Sequence, residues 1–356
     1  MKTKILSLEK IPLIYLYYSF IIAFSDYEIK VKLTFKSFKN LLKTRDVKLS
    51  LSYGVFIDQK IDKETLNYFE NQLAILLPEK SIINKDKNRI RLNEKKIKKI
   101  PISFILCGFR KNFSIYCEKE DKILKFKKAL YDSGTATLPF YRGKGFSKSL
   151  LKYIIQNSRK KNIDGFILEV LQNNEKAKNL YLSFGFNISR KFFCYRAEKI
   201  NLVNTLNENL KNNLEINNLS KKIKIKKLTL ANFIKYTKDK EIFLKTISWQ
   251  NSIESVKNIF KKITSIAIFY EKKLIAIGAI ENFNGDIKFL AINNNINEEF
   301  KKNNLIESIL LLELIKYTNN KNISFLNIDN SMATKIFLEK INFINFINQY
   351  EMFLNL

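Results

Sequence analysis

Residues 142–147 read Arg-Gly-Lys-Gly-Phe-Ser, and a stretch of helical character runs on to about Arg159. A glycine loop that opens a helix presents several backbone N–H groups at the positive end of the helix dipole, which suits a phosphate. Five of the nine glycines (Gly134, Gly143, Gly145, Gly165 and Gly185) lie between 134 and 185. In a chain so poor in glycine, those retained here are expected to serve the backbone. The dinucleotide pattern GxGxxG fails, because Lys148 stands where its last glycine would be, and no GK[ST] is present. Histidine is absent, so Ser-His-Asp, Cys-His and HExxH chemistry are excluded. Cys107, Cys117 and Cys194 are widely spaced with no CxxC. That excludes a zinc ribbon, argues against a disulfide framework, and points to a reducing, cytoplasmic setting without a metal. Proton transfer must use carboxylates, Tyr, Lys, Cys or water.

The elements around the loop alternate. Residues 128–138 read as a strand ended by Pro139, 163–171 as a buried strand, 173–185 as a helix closed by Gly185, and 186–198 as a final strand or hairpin. Strand, glycine loop, helix, strand, helix, strand is an α/β layout with a ligand site at a strand-to-helix turn. Upstream, 3–8 reads as a strand and 34–44 as a helix capped by Thr34. Residues 48–57 read as a strand, 62–77 as a helix and 101–109 as a buried strand, with 111–126 as a hairpin tip. Residues 60–99 suggest a surface insertion.

Residues 131–196 resemble the core of the GCN5-related N-acetyltransferase (GNAT) family. Arg142-Gly143-Lys144-Gly145-Phe146-Ser147 resembles its pyrophosphate motif Q/R-x-x-G-x-G/A, with small Ser147 in the last place. Thr135-Ala136-Thr137-Leu138-Pro139 resembles the splayed fourth strand that hydrogen-bonds pantetheine. Residues 168–186 match the LEV…N..A..LY...GF block. Ala23-Phe24-Ser25-Asp26-Tyr27 is similar to a stretch of some bacterial members.

The resemblance implies acetyl-CoA as acyl donor and an amine as acceptor. Thr135, Ala136, Thr137, Gly143, Lys144, Gly145, Phe146, Ser147 and Lys148 would grip the donor through backbone groups. Arg142 either adds charge or packs the loop. Asn174 either contacts the pantetheine arm or caps its helix. Tyr181 matches the tyrosine that returns a proton to the departing thiolate. A backbone N–H near Thr137 would hold the oxyanion. The amine must lose a proton, and without histidine a carboxylate acting through water is the natural base. Glu169, inside the LEV match, is the first candidate, against a plain ion-paired strand end; Asp132 and Asp26 are weaker ones.

Residues 201–222 read as a linker, helical in part, and a second αβ series follows in 223–356: strands at 223–228, 265–271, 273–282, 286–293, 322–328 and 343–354, with helices at 252–263, 302–318 and 330–340. The shared order suggests a duplication. The expected architecture is α/β, two GNAT-like domains (1–200 and 223–356), each a mixed twisted sheet flanked by helices. The second copy is worn. Its loop after residue 293 lacks glycine and carries Glu298 and Glu299. Asn330-Ser331-Met332-Ala333 resembles Asn174…Ala177, Asn342 stands for Gly185, and the Tyr position falls on Phe337 or Leu338. The segment Ser248-Trp249-Gln250-Asn251 holds the only tryptophan; a core or interdomain Trp249 is preferred to an acceptor-side wall.

The net charge of +29 invites nucleic acid. Yet only eight bases are arginine (Arg45, Arg89, Arg91, Arg110, Arg142, Arg159, Arg190, Arg196), and the chain is rich in Lys, Asn, Ile and Phe, whose codons are A/T-rich. Codon drift explains the charge with less. Residues 11–24 are apolar but short of a span, and read as a buried helix beginning near Pro12, with a signal segment the lesser reading. The leading expectation is an N-acetyltransferase active in its first half only, a monomer or homodimer. A non-catalytic CoA-binding scaffold and a lysine-rich nucleic-acid binder are the alternatives.

Overall fold

The computed structural model describes residues 1–26, 33–77, 92–211, 222–238, 247–293, 304–329 and 332–356. Its first half contains β1 (Thr3–Ser7), α1 (Leu13–Ala23), α2 (Phe35–Thr44), β2 (Tyr53–Ile57), α3 (Lys63–Leu76), α4 (Glu94–Ile97), β3 (Ser103–Cys117), β4 (Lys122–Thr137), α5 (Phe146–Lys160), β5 (Gly165–Leu171), α6 (Glu175–Ser183) and β6 (Asn187–Glu198). After α7 (Lys199–Lys211) the second half gives β7 (Ile223–Lys227), α8 (Leu230–Tyr236), α9 (Ile253–Asn258), β8 (Ile263–Tyr270), β9 (Lys273–Glu281), β10 (Asp286–Ile292), α10 (Leu305–Ile315), β11 (Asn322–Ile328), α11 (Met332–Lys340) and β12 (Ile344–Asn355).

Local chemistry sets many boundaries. Thr34, Asp62, Asn174 and Ser252 each accept from an N–H in the first turn of the following helix, the usual N-cap bond. Pro12 precedes α1, and the run from Leu16 to Ala23 is buried. No helix among the described residues is long and apolar enough to cross a membrane.

All twelve strands join one sheet, in the order β1-β2-β3-β4-β5-β12-β6-β11-β10-β9-β8-β7. Each half pairs its first four strands antiparallel and its fourth and fifth parallel. The last strands are exchanged. β12 lies antiparallel between β5 and β6, and β6 runs antiparallel to β11. Each half therefore completes the sheet of the other. A buried ion pair sits at this seam: Arg190 Nε and Nη2 bond Glu351 Oε2 and Oε1 at 2.9 and 3.1 Å, and Ser189 Oγ bonds Oε2 at 2.8 Å. Burying two charges is favourable only where their remaining polar atoms are satisfied.

Three sequence expectations need correction. Part of 60–99 is core: α3 buries Phe69 and Leu73 in the main cluster around α1 and the sheet. The helical spacing of those residues agrees with their burial; the polar Lys- and Asn-rich run lies beyond them. Residues 78–91 lie outside the described residues. The expected hairpin tip of 111–126 is mostly strand, because Phe113, Ile115, Cys117 and Phe126 alternate inward among exposed charges. Residues 49–51 form a 3-10 turn before β2.

Candidate active site

β4 and β5 pair only from Ala129↔Gly165 to Asp132↔Leu168, although β4 continues to Thr137 and β5 to Leu171. A bulge at Ser133 turns β4 away, since Cys107 faces Asp132 while Leu106 faces Gly134. Asp132 stabilises the bend by accepting from Gly134 N at 2.9 Å and Thr135 Oγ1 at 2.5 Å. Thr135, Ala136 and Thr137 therefore border a gap between two parallel strands. Past it the chain makes a 3-10 turn at Pro139–Tyr141 and enters the glycine loop. Gly143 and Gly145 hold φ of +78° and +76°, and among the described residues a Cβ on either would meet nothing within 4 Å. Conformation, not crowding, demands glycine there. α5 starts directly at Phe146 with no side-chain cap, so the first-turn N–H groups of Phe146, Ser147 and Lys148 form an anion seat.

The side chains of the loop serve to fix it. Ser147 Oγ lies 2.9 Å from Thr137 Oγ1, which lies 2.7 Å from Ser103 Oγ. Serine in the motif's last place thus ties the loop to β4 and β3. Arg142 forms a two-pronged pair with Asp26 (2.5 and 2.8 Å) and also donates to Thr137 O and Ala23 O. Its bond to Asp26 lowers that carboxyl. Arg142 therefore staples the loop to the end of α1, and Asp26 is engaged as its counter-ion. Tyr27 lies outside the described residues. Lys144 reaches over the Phe140 and Tyr141 rings, and Lys148 is exposed. Asn174 caps α6 through Ala177 N at 3.2 Å.

Tyr181 and Asp132 meet on one face of the sheet. The Tyr181 hydroxyl donates to Asp132 Oδ2 at 2.9 Å, and both residues are buried. Burial pushes the Asp132 carboxyl up, while Thr135, Tyr181 and Gly134 bond it and pull it back.

Glu169 lies on the opposite face, because side chains alternate along β5 and Leu168 is level with Asp132. Its Oε2 accepts from the Tyr131 hydroxyl at 2.6 Å and from the Gln250 side-chain amide. Its Oε1 is buried and has no hydrogen-bond partner among the described residues. Burial raises the Glu169 carboxyl above its usual range; the bonds from Tyr131 and Gln250 and the Arg45 charge oppose this, and Glu351 adds to it. Trp249 is fully buried and stacks on Tyr131, ring centroids 4.9 Å apart and 6° from parallel. Its Nε1 donates to Arg45 O at 3.1 Å, and Arg110 lies over its ring at 4.1 Å. The tryptophan packs between the halves, in keeping with the interdomain reading.

Sequence reasoning passed over Tyr131 and Arg45 as site neighbours and met Gln250 only within the 248–251 segment, as the lesser acceptor-side reading. One signal was available. Where nearly every base is lysine, a retained arginine marks a place that needs its planar fork: Arg45, Arg110, Arg142 and Arg190 all make two or more hydrogen bonds.

The second half repeats the geometry with other residues. β10 and β11 pair only at Asp286↔Ser324 and Ile287↔Phe325, with a bulge at Lys288. Ile287 thus stands for Asp132, and Leu326 for Glu169. Phe343 N bonds Leu338 O as Phe186 N bonds Tyr181 O, and Asn342 and Gly185 both have positive φ. Leu338, rather than Phe337, is the counterpart of Tyr181. A cavity of about 140 Å³ remains in this cleft, lined in part by Lys288, Ser248 and Asn327. Glu298, Glu299, Asn330 and Ser331 lie outside the described residues.

Residues 92–186 match the family model of the acetyltransferase (GNAT) family. The chain carries a GNAT domain. No curated protein matches by sequence. Among solved structures, a tandem GNAT protein from the clavulanic acid biosynthesis pathway is similar at a TM-score of 0.60 and 6% identity, covering 99% of this chain and 98% of that one. An acetyltransferase from Pyrococcus horikoshii, itself described as putative, is similar at 0.55 and 10%, covering 100% and 89%. A probable N-acyltransferase from Enterococcus faecalis V583 is similar at 0.54 and 11%, covering 100% and 72%. At such identities the likeness is one of fold, and it extends over both halves. The whole chain has the fold of a tandem GNAT protein.

Proposed function

We propose that the protein is an acetyl-CoA-dependent N-acetyltransferase whose chemistry runs in residues 1–200, with residues 223–356 as a non-catalytic partner domain. One observation carries this reading. The β4–β5 ladder ends at Asp132↔Leu168, so that two carboxylates, Asp132 and Glu169, stand where the strands part, one on each face of the sheet, with Tyr181 bonded to Asp132. Pyrophosphate would rest on the first turn of α5, and the pantetheine arm would follow the free edge of β4. Glu169, through water, accepts a proton from the amine; the amine nitrogen bonds the acetyl carbon, and the carbon–sulfur bond breaks. The thiolate takes the Tyr181 proton. An Asp132 that holds a proton can reverse its bond to Tyr181 and so direct the phenol hydrogen to sulfur. In the second half, Ile287, Leu326 and Leu338 offer no group for these transfers.

The test is thiol release from acetyl-CoA by purified protein across a broad amine panel that includes amino acids, polyamines, aminoglycosides and peptide N-termini. Amine-dependent release is expected. Tight CoA binding without release for every amine would instead favour a CoA-binding scaffold.

A further inference from the structure

The second half does more than complete the sheet. Gln250 sits on the 3-10 turn Trp249–Asn251, which enters the first half beside the candidate base. Its amide nitrogen donates to Glu169 Oε2 and, at 3.0 Å, reaches the Tyr131 hydroxyl. Its amide oxygen accepts from Arg45 Nη2 at 2.8 Å, and Arg45 Nη1 donates to Ser133 O at 2.6 Å. This fixes which way the amide points. Flipped, it would set NH₂ against a guanidinium and oxygen against a carboxylate. Arg45 is held in turn by the bulge that opens the donor gap. The turn is anchored independently: Arg110 donates to Trp249 O, Ser252 Oγ and Ser255 Oγ at 3.0, 2.6 and 2.7 Å.

We propose that Gln250 is a positioning residue for Glu169, so that the amine-activating site of the first half is completed by a side chain of the second. With Oε2 occupied by Tyr131 and Gln250, Oε1 is the oxygen left to take a proton. A neutral amide serves better than a cation here. A guanidinium in direct contact would pair with the carboxylate and quench its basicity, whereas the amide carries only part of the Arg45 charge to it. The groups facing Glu169 are Tyr131 on β4, Arg45 after α2, Cys194 on β6, Glu351 on β12 and Gln250 itself.

The inference rests on Glu169 being the base, and the experiment separates the two. The pH profile of kcat/KM for the best amine is measured on the full chain, with acetyl-CoA affinity by calorimetry, for wild type, Gln250→Ala, Gln250→Met and Glu169→Gln. Loss of the amide donor disfavours the ionised carboxylate, so the acid limb moves to higher pH in both Gln250 variants, by about 1 unit. Acetyl-CoA affinity stays within twofold. Met keeps the volume and carries the test if Ala disturbs folding. In the Glu169→Gln background, Gln250→Ala causes no further loss. An acid limb unmoved in a folded, active Gln250→Met protein overturns the positioning role. A Glu169→Gln protein that keeps the wild-type acid limb overturns the base assignment, and the inference with it.

Discussion

At the residue scale, Asp132 and Glu169 stand one step apart in register on opposite faces of one parallel pair. Both carboxyls are raised by burial, and each is drawn back by named donors. If Glu169 takes the amine proton, kcat/KM falls as pH drops through its raised pKa. The acid limb then lies above about 4.3, the ordinary glutamate value, and Glu169→Gln removes that limb. Tyr181→Phe is expected to lower kcat by about 100-fold and to leave the acetyl-CoA Kd unchanged; a large loss of affinity would assign Tyr181 to packing. The loop and the Tyr181 helix were legible in the sequence because each is contiguous, with its spacing printed along one stretch of chain. Gln250 was not. It meets Arg45 across 205 residues and Glu169 across 81, and no local pattern records such a meeting.

At the element scale, the exchange of β6 and β12 binds the halves. Glu351→Gln removes the charge partner of a buried guanidinium and should cost about 3–5 kcal/mol, read as a lowered denaturant midpoint; a change below about 1 kcal/mol would mean that water or a neighbour compensates. Truncation after Phe343 deletes β12 and leaves β5 and β6 with open edges, so aggregation and loss of a cooperative melt are expected. The exchange could not be read from the sequence, because both strands have the same length and nothing local in either names its partner. In the glycine loop, Gly143→Ala and Gly145→Ala meet no atoms of the described residues, and the expected penalty is conformational, about 1–2 kcal/mol each, with weaker acetyl-CoA binding. Gly108→Ala differs in kind. Its Cβ would stand 2.3 Å from Arg45 O, so the Arg45–Gln250 seat should shift and turnover should fall while α5 and its loop stay intact.

At the scale of the whole molecule, two copies of one layout share a sheet but not the residues of the candidate site. The first keeps glycines at positive φ, a carboxylate on each face and a tyrosine. The second places Ile287, Leu326 and Leu338 at the corresponding points. That asymmetry was partly visible as a glycine count, since five of nine cluster in one stretch. Trp249 lies between the halves, as its interdomain reading expects, whereas the seat of Arg110 on Trp249, Ser252 and Ser255 had no local signal in the sequence, and it packs the second copy against the candidate site of the first. Of the cations around this site, Arg45, Arg110 and Arg142 are each held by hydrogen bonds, while Lys144 and Lys148 belong to the loop itself. The most direct test is the stoichiometry of acetyl-CoA binding to the full chain by titration calorimetry. One molar equivalent per chain is expected, in the first half; two equivalents, or none, would contradict a single donor site built on Gly143–Lys148 and the splayed edge of β4.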